Sequence, residues 1–372
     1  MKIGIDAKWF FKGPPSGRVV IQNLVEQLVK ISAKDEFYIF LDKKARKMDF
    51  PCPAPNVRLV YIWAGNNMIS NIFFVPFVAY KLKLDVFLFQ NFSSVFSNFN
   101  RCVFIHDVIF EQYPHLFSFV QRVYFFSIKY LAFLAQRICT VSESEKLRLI
   151  KYGYGKDSNI DVIYHGVSEK YLPREMHRQE LLRAVASKYD LPQSFILYVG
   201  RLNVRKNIAN LLKALSMIKN ENIPLVIAGE REGKADNLNK LIKILGIDRR
   251  IIFTGFVDDD DLPLVFSLAT VFCYVSIAEG FGLPAIEAMA SGVPIVVSKG
   301  SCLPEICGEA ALYANPQDPA EIANKIDMLL NDEKLLASQR RVGILRAKEF
   351  NWRLSAEKLL KSLYRASGVI EV

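Results

Sequence analysis

The sequence predicts an α/β protein made of two Rossmann-like, doubly wound parallel-sheet domains facing a central cleft. Three observations carry this. The chain has 372 residues, and a domain usually holds roughly 100–200, so two are expected. Short apolar runs alternate with amphipathic helical stretches, the pattern of a parallel sheet covered by helices on both faces. The alternation stops between His165 and Pro192 and then restarts, which gives two halves of similar size.

In the first half, residues 2–6, 37–41, 57–62, 85–89, 102–106 and 138–141 are apolar runs of strand length. Helical patterns lie at 23–31 and 118–136. A third opens at Ser142, where Ser142-x-x-Glu145 has the spacing of a capping box. The pause around Pro173 is polar and charged, with a helix-like run after it, and holds the domain boundary. In the second half, residues 195–199, 224–228, 251–253, 271–275 and 294–298 are strand candidates separated by helical segments. Open α/β sheets bind ligands outside the carboxyl ends of their strands. Functional motifs are therefore expected just after strands.

Composition narrows the class. About half the residues are apolar, and the formal net charge is +10. Residues 1–170 carry 22 Lys and Arg against 14 Asp and Glu, and 20 of the 27 phenylalanines. A basic, aromatic-rich half suits an anionic surface or ligand, with a plain solvated basic face as the alternative. No motif of the usual nucleic-acid-binding set is present. The opening MKIGIDAKWF reads as a strand and not as an export signal. Residues 69–80 and 119–135 are too short or too interrupted by charge to span a membrane, which takes roughly 20 apolar residues. The six cysteines are read as reduced thiols: Cys52, Cys102, Cys139 and Cys273 stand singly, and Cys302 with Cys307 cannot complete a zinc site. A soluble or peripheral cytosolic protein is expected.

The richest segment is TVFCYVSIAEGFGLPAIEAMASGVP, residues 270–294. A strand leads into a loop containing Gly280 and Gly282, where backbone can approach a ligand closely. Pro284 suits the first helical position, and Gly292 stops the helix. Free N–H groups at the helix start form an anion site. Glu279 stands before the helix and Glu287 about one turn inside it, so both carboxylates can accept hydroxyl hydrogen bonds. Two glycines and a proline alone would signify only a tight turn; the two carboxylates point to a site. In FILYVGRLNVRKN, Gly200 permits a turn after a strand, and Arg201 and Lys206 follow at a helix entrance. Two cations there can neutralise a diphosphate leaving group, where isolated ones would simply be solvated. In CVFIHDVIF, His106 and Asp107 end an apolar strand, which favours a ligand contact over a core histidine. Gly13-Pro-Pro-Ser-Gly17 follows the first strand but lacks both the dinucleotide and the P-loop fingerprints.

Taken in order along nearly the whole chain, these motifs resemble the retaining glycosyltransferase group numbered family four, of GT-B fold, and its mannosyltransferase-like members in particular. Glu279 and Glu287 match that group's E-x7-E element. Gly200, Arg201 and Lys206 match G-R-x4-K, His106-Asp107 matches its HD pair, and Gly17 its first loop. FTGFVDDDDLP resembles the segment beside the nucleotide base, which brings in Phe256 and Val257. SCLPEICGEAALYANPQDPAEIA resembles mannosyltransferase text. FNWRLSAEKLLKSLY resembles a C-terminal helix that crosses back to the first domain. Two positions depart from the pattern. His165 stands where asparagine is frequent, and PPSGRVV lacks a second glycine after Gly17.

The resemblance implies an acceptor-side domain over residues 1–170, a nucleotide-sugar domain over 171–348 and a crossing helix over 349–372. Arg201 and Lys206 would bind the diphosphate, and Glu287 the ribose. Glu279 would bind the donor sugar, and His106 the transferred sugar. Backbone N–H groups around Gly280, Phe281, Gly282 and Leu283 would hold sugar and phosphate. The implied reaction moves a hexose, mannose favoured, from a nucleoside diphosphate to a glycan or lipid-linked glycan in cell-surface polysaccharide or lipopolysaccharide synthesis. GDP-mannose is the favoured donor, and no metal or other cofactor is implied. The alternatives are a UDP-sugar-dependent transferase of glucose or N-acetylglucosamine, and a non-catalytic partner in glycan assembly. The stretch 69–83, apolar and then basic, is either a core helix or a patch for anionic membrane at the inner face of the cytoplasmic membrane.

Overall fold

In a computed structural model, residues 1–229 and 235–369 are described. The chain divides into two compact units, residues 1–166 with 351–372, and residues 167–350.

The first unit holds a seven-stranded sheet of β1 (Lys2–Asp6), β2 (Glu36–Asp42), β3 (Val57–Ile62), β4 (Val86–Gln90), β5 (Asn100–Phe104), β6 (Arg137–Thr140) and β7 (Ile160–Val162). Their order is β3-β2-β1-β4-β5-β6-β7, and every pairing is parallel. The order reverses direction beside β1, between β1 and β4. Such a switch point leaves a crevice outside the strand ends. Burial on both faces explains why β4 is apolar except for Gln90. The expected strand 102–106 ends earlier, at Phe104, so His106 lies two residues past it. Cys102 and Cys139, isolated in sequence, are neighbours across β5 and β6, with their sulfurs 3.5 Å apart. All six cysteines are free thiols.

The first helix covers Pro15–Ile31 and so begins well before the expected 23–31. Proline at its start loses nothing, because the first N–H groups of a helix have no partner within it. Gly17 therefore lies in the first helical turn. Its missing side chain admits Trp9: a Cβ there would lie 2.9 Å from the indole Cε3. At Ser142 the hydroxyl accepts from Glu145 N as the spacing implied, while the Glu145 carboxylate accepts from Val108 N at 2.7 Å and from Arg148.

The helix Trp352–Ser367 packs in this first unit, against the helix Pro15–Ile31 and beside β4 to β6. Ser362 donates to Asp161 at 2.7 Å, and Tyr364 donates to the buried Asp35 at 2.5 Å. The end of the segment expected to cross, residues 370–372, lies outside the described residues.

The second unit holds a six-stranded parallel sheet of β8 (Ile196–Val199), β9 (Leu225–Ala228), β10 (Ile251–Gly255), β11 (Val271–Tyr274), β12 (Ile295–Ser298) and β13 (Ala311–Ala314). Its order is β10-β9-β8-β11-β12-β13, with the switch between β8 and β11. The helix-like run expected after Pro173 is the helix Gln179–Lys188. Among the described residues no helix is long and apolar enough to cross a membrane.

Candidate functional site

The carboxyl ends of β8 and β11, flanking the switch point, carry a connected polar network. Gly200 and Gly229 have φ of +146° and +153°, and a Cβ on Gly229 would lie 2.2 Å from the Gly200 carbonyl oxygen. Only glycine permits that approach of the loops after β8 and β9. Beyond Gly200 the chain turns through Val204–Lys206, where the Asn203 side chain accepts from Lys206 N at 3.2 Å. Asn207, with φ of +61°, starts the helix Ile208–Leu215. Its amide donates to Val275 O at 2.9 Å and Pro316 O at 2.6 Å. Ile277 N in turn donates to Arg205 O at 2.9 Å. The turn after β8 is thus laced to the loop after β11.

That lacing places Glu279 over two cations. Arg205 Nη1 and Lys206 Nζ each lie 2.8 Å from it, on opposite carboxylate oxygens. Lys206 also meets the Tyr274 hydroxyl and sits 4.7 Å above that ring's centroid. The Glu279 backbone is fixed by Ser301, whose Oγ donates to Glu279 O at 2.5 Å. Burial alone would raise the Glu279 pKa, but Arg205 and then Lys206 outweigh it and hold the carboxyl at about 2. The Lys206 pKa is also lowered, but by burial, with Glu279 opposing and Arg205 and Arg201 assisting. Arg201, exposed, thus lies near enough for its charge to be felt by Lys206.

Glu279 leads through Gly280 and the buried Phe281 to Gly282, whose φ of +93° opens the helix Leu283–Ala290. Pro284 falls within its first two positions, and Gly292, φ +67°, follows its end. Glu287 belongs to a second pair, with the Tyr171 hydroxyl. Burial raises its pKa to about 7; the Tyr171 hydrogen bond opposes the rise and Asp259 adds to it. Past β10, Val257 is buried while the Phe256 ring is 53% exposed.

Sequence reasoning missed Arg205 and Tyr171. The signal for Arg205 was present: it directly precedes Lys206 within one short turn. Tyr171 gave none, since it lies in the polar stretch read as the domain boundary.

In the first unit, His106 Nε2 lies 2.8 Å from Gln90 Oε1 at the end of β4. With that oxygen accepting, Nε2 carries the proton and Nδ1 remains an acceptor. Burial lowers the His106 pKa to about 4, against the pull of Asp107. It is therefore a neutral imidazole at physiological pH. Its ring centroid is 5.9 Å from Trp9 and 6.2 Å from His165. His165 is buried against Phe104 and Trp352. Next to Trp9 in the chain, Lys8 Nζ pairs with Asp6 and with Asn71 Oδ1, both at 2.6 Å, in a buried cluster at the end of β1. Among the described residues no group of three or more His, Cys, Asp or Glu is placed to hold a metal ion.

Residues 184–345 match the model of the family glycosyl transferases group 1. The O-antigen chain mannosyltransferase B of Escherichia coli is 36% identical over 223 residues, 59% of this chain and 58% of that protein. The chain thus spans little more than half the length of this relative. A sucrose-phosphate synthase from Thermosynechococcus elongatus superposes with a TM-score of 0.77, at 23% identity over 98% of both chains. Anabaena HepE, solved with UDP and glucose, superposes at 0.73 with 18% identity, over 98% of this chain and 99% of that one. The fold is that of GT-B glycosyltransferases, and the match to the glycosyl transferases group 1 model takes in most of the second unit.

Proposed function

We propose that this chain is a retaining glycosyltransferase that moves mannose from GDP-mannose to a glycan or lipid-linked glycan in cell-surface polysaccharide synthesis. The observation that carries the reading is the Glu279 carboxylate bridging Lys206 and Arg205 at the switch point between β8 and β11. A diphosphate arriving there meets Lys206, Arg205 and the nearby Arg201. These cations stabilise charge as it grows on the leaving group, the work a metal ion would otherwise do. Glu279, released from part of its pairing, becomes an acceptor for donor-sugar hydroxyls. Glu287 takes the ribose hydroxyls, and the N–H groups opening the helix Leu283–Ala290 take phosphate oxygen.

In the transfer, the bond from the anomeric carbon to the phosphate oxygen breaks. The bond to the acceptor oxygen forms on the same face. The acceptor proton passes to the departing phosphate, so no protein nucleophile is needed. His106, neutral and with Nδ1 free to accept, is assigned to a hydroxyl of the transferred sugar. Preference for mannose rests on the similarity to the Escherichia coli mannosyltransferase. Work on a lipid-linked acceptor would place the chain at the inner face of the cytoplasmic membrane.

The test is a donor panel with the purified chain and a lipid-linked glycan acceptor fraction, followed by NMR of the product anomer. GDP-mannose consumption with an α-linked product is expected. Exclusive use of UDP-sugars would overturn the donor, and a β-linked product would overturn the mechanism.

A further inference from the structure

The helix Phe119–Phe133 is apolar on the wrong side as well as the right one. Its inner face buries Ile128, Leu131 and Ala132 in the first unit. Its outer face carries Phe119, Val123, Phe126, Tyr130 and Phe133, spaced by four, three, four and three residues, which is a single helical stripe. Phe119 is 75% exposed, Phe126 51% and Phe133 77%. A surface helix of a water-soluble domain normally turns polar residues outward, and contiguous exposed apolar area marks an interaction site.

The stripe has a neighbour. Ser127 donates to Met68 Sδ at 3.2 Å, tying this helix to the segment that continues into the helix Val75–Leu82. An apolar groove of about 390 Å³ lies where they meet, lined by Met68, Phe119, Val123 and Tyr124 among others. The second segment exposes Phe73, Phe77 and Tyr80 in its turn. The charges there have one sign. Residues 67–84 and 117–134 contain Lys81, Lys83, Arg122 and Lys129 and not one Asp or Glu. Lys81 lies 4.2 Å from the Phe77 ring centroid, its stem covering apolar surface.

We propose that these two segments form one docking surface for an anionic lipid bilayer, with the helix Phe119–Phe133 lying flat in the interface. Charge complementarity chooses this occupant over a second copy of the chain, because two such faces would bring cations against cations. Aromatic rings suit the headgroup boundary, and basic residues around them suit anionic lipid. The helix is 15 residues long, so it lies on a bilayer and does not cross one. The surface extends beyond the stretch 69–83 and gives the lipid-linked acceptor reading a means of approach. It rests on that reading only for its purpose.

The test is cosedimentation of the full chain with phosphatidylglycerol-containing vesicles and with pure phosphatidylcholine vesicles, without donor or acceptor. Binding to the anionic vesicles, weakened by salt, is expected. The triple variant Phe119→Ser, Phe126→Ser, Phe133→Ser should lose affinity by about tenfold or more. Phe126→Trp, which keeps an aromatic side chain, should still bind, and brominated phosphatidylglycerol should quench its fluorescence. Absence of wild-type binding, full binding by the triple variant, or an unquenched Trp would overturn the proposal. So would a wild-type dimer that the triple variant dissolves, which would give the face to a second copy. A chain that binds vesicles but transfers no sugar would leave this surface standing and remove the transferase reading instead.

Discussion

Glu279 and Lys206, 73 residues apart in the chain, are joined at 2.8 Å, and the second oxygen of the same carboxylate holds Arg205. Both partners are therefore satisfied before any ligand arrives. Removing either should lower turnover by roughly 10²–10³-fold if the cations and the carboxylate act on developing charge. The two variants should differ in stability. Glu279→Ala leaves two cations with no shared anion, and breaking a buried pair this way costs about 3–5 kcal/mol. Lys206→Ala leaves Glu279 still paired with Arg205 and should cost less. Urea unfolding of both variants beside their rates checks the order. A nucleoside diphosphate should restore part of the stability lost in Glu279→Ala.

The acid limb follows from the same carboxylate. Glu279 has its pKa depressed from an ordinary 4.5 to about 2. Its stabilising contribution is therefore complete above about pH 4.5 and is lost as pH falls towards 2. Glu279→Gln should flatten that part of the stability profile, measured as the urea midpoint between pH 2 and 5.

Glu287 has the opposite sign. Its pKa is raised from 4.5 to about 7. The folded state therefore holds a proton that the unfolded chain has released, and the associated stability, full below about pH 4.5, disappears as pH rises through 7. Ribose hydroxyls donate best to the ionised carboxylate. GDP affinity should accordingly rise with pH across 7, and Glu287→Gln should remove that dependence. Tyr171→Phe takes away the hydrogen bond that opposes the shift, so it should move the midpoint higher. Calorimetric titration from pH 6 to 8.5 reads all three.

Gly229→Ala puts a methyl group 2.2 Å from the Gly200 carbonyl oxygen at a φ of +153°. A loss of roughly 1–3 kcal/mol is expected from strain alone. The displaced turn should also weaken nucleotide binding, since Lys206 hangs from it. A circular-dichroism melt with a GDP titration separates the two effects.

Much of the fold was legible. β1 and β3 have the bounds their sequence runs implied, and β4, buried along its whole length, lies within one residue of its apolar run. β7 and β13 were missed, being only three and four residues of mixed or small side chains. The first helix was read late because Pro14-Pro15-Ser16-Gly17 looks like a loop. Nothing local reveals that Gly17 is a clearance for Trp9. In the site, the residue types and their place after strands were readable, since open sheets put ligands there. The pairings were not. Glu279 with Lys206 and Glu287 with Tyr171 are products of how distant loops meet. The outward stripe on Phe119–Phe133 was hidden too, since its periodicity equals that of an ordinary core helix.

The central claim, a nucleoside diphosphate held by Lys206 and its neighbours, is tested most directly by calorimetric titration of the wild type and Lys206→Ala with GDP and UDP. Saturable binding of GDP in preference to UDP, weakened by roughly tenfold or more in Lys206→Ala, is the predicted result. Binding of neither nucleotide to the wild type, or equal GDP affinity in both proteins, would contradict it.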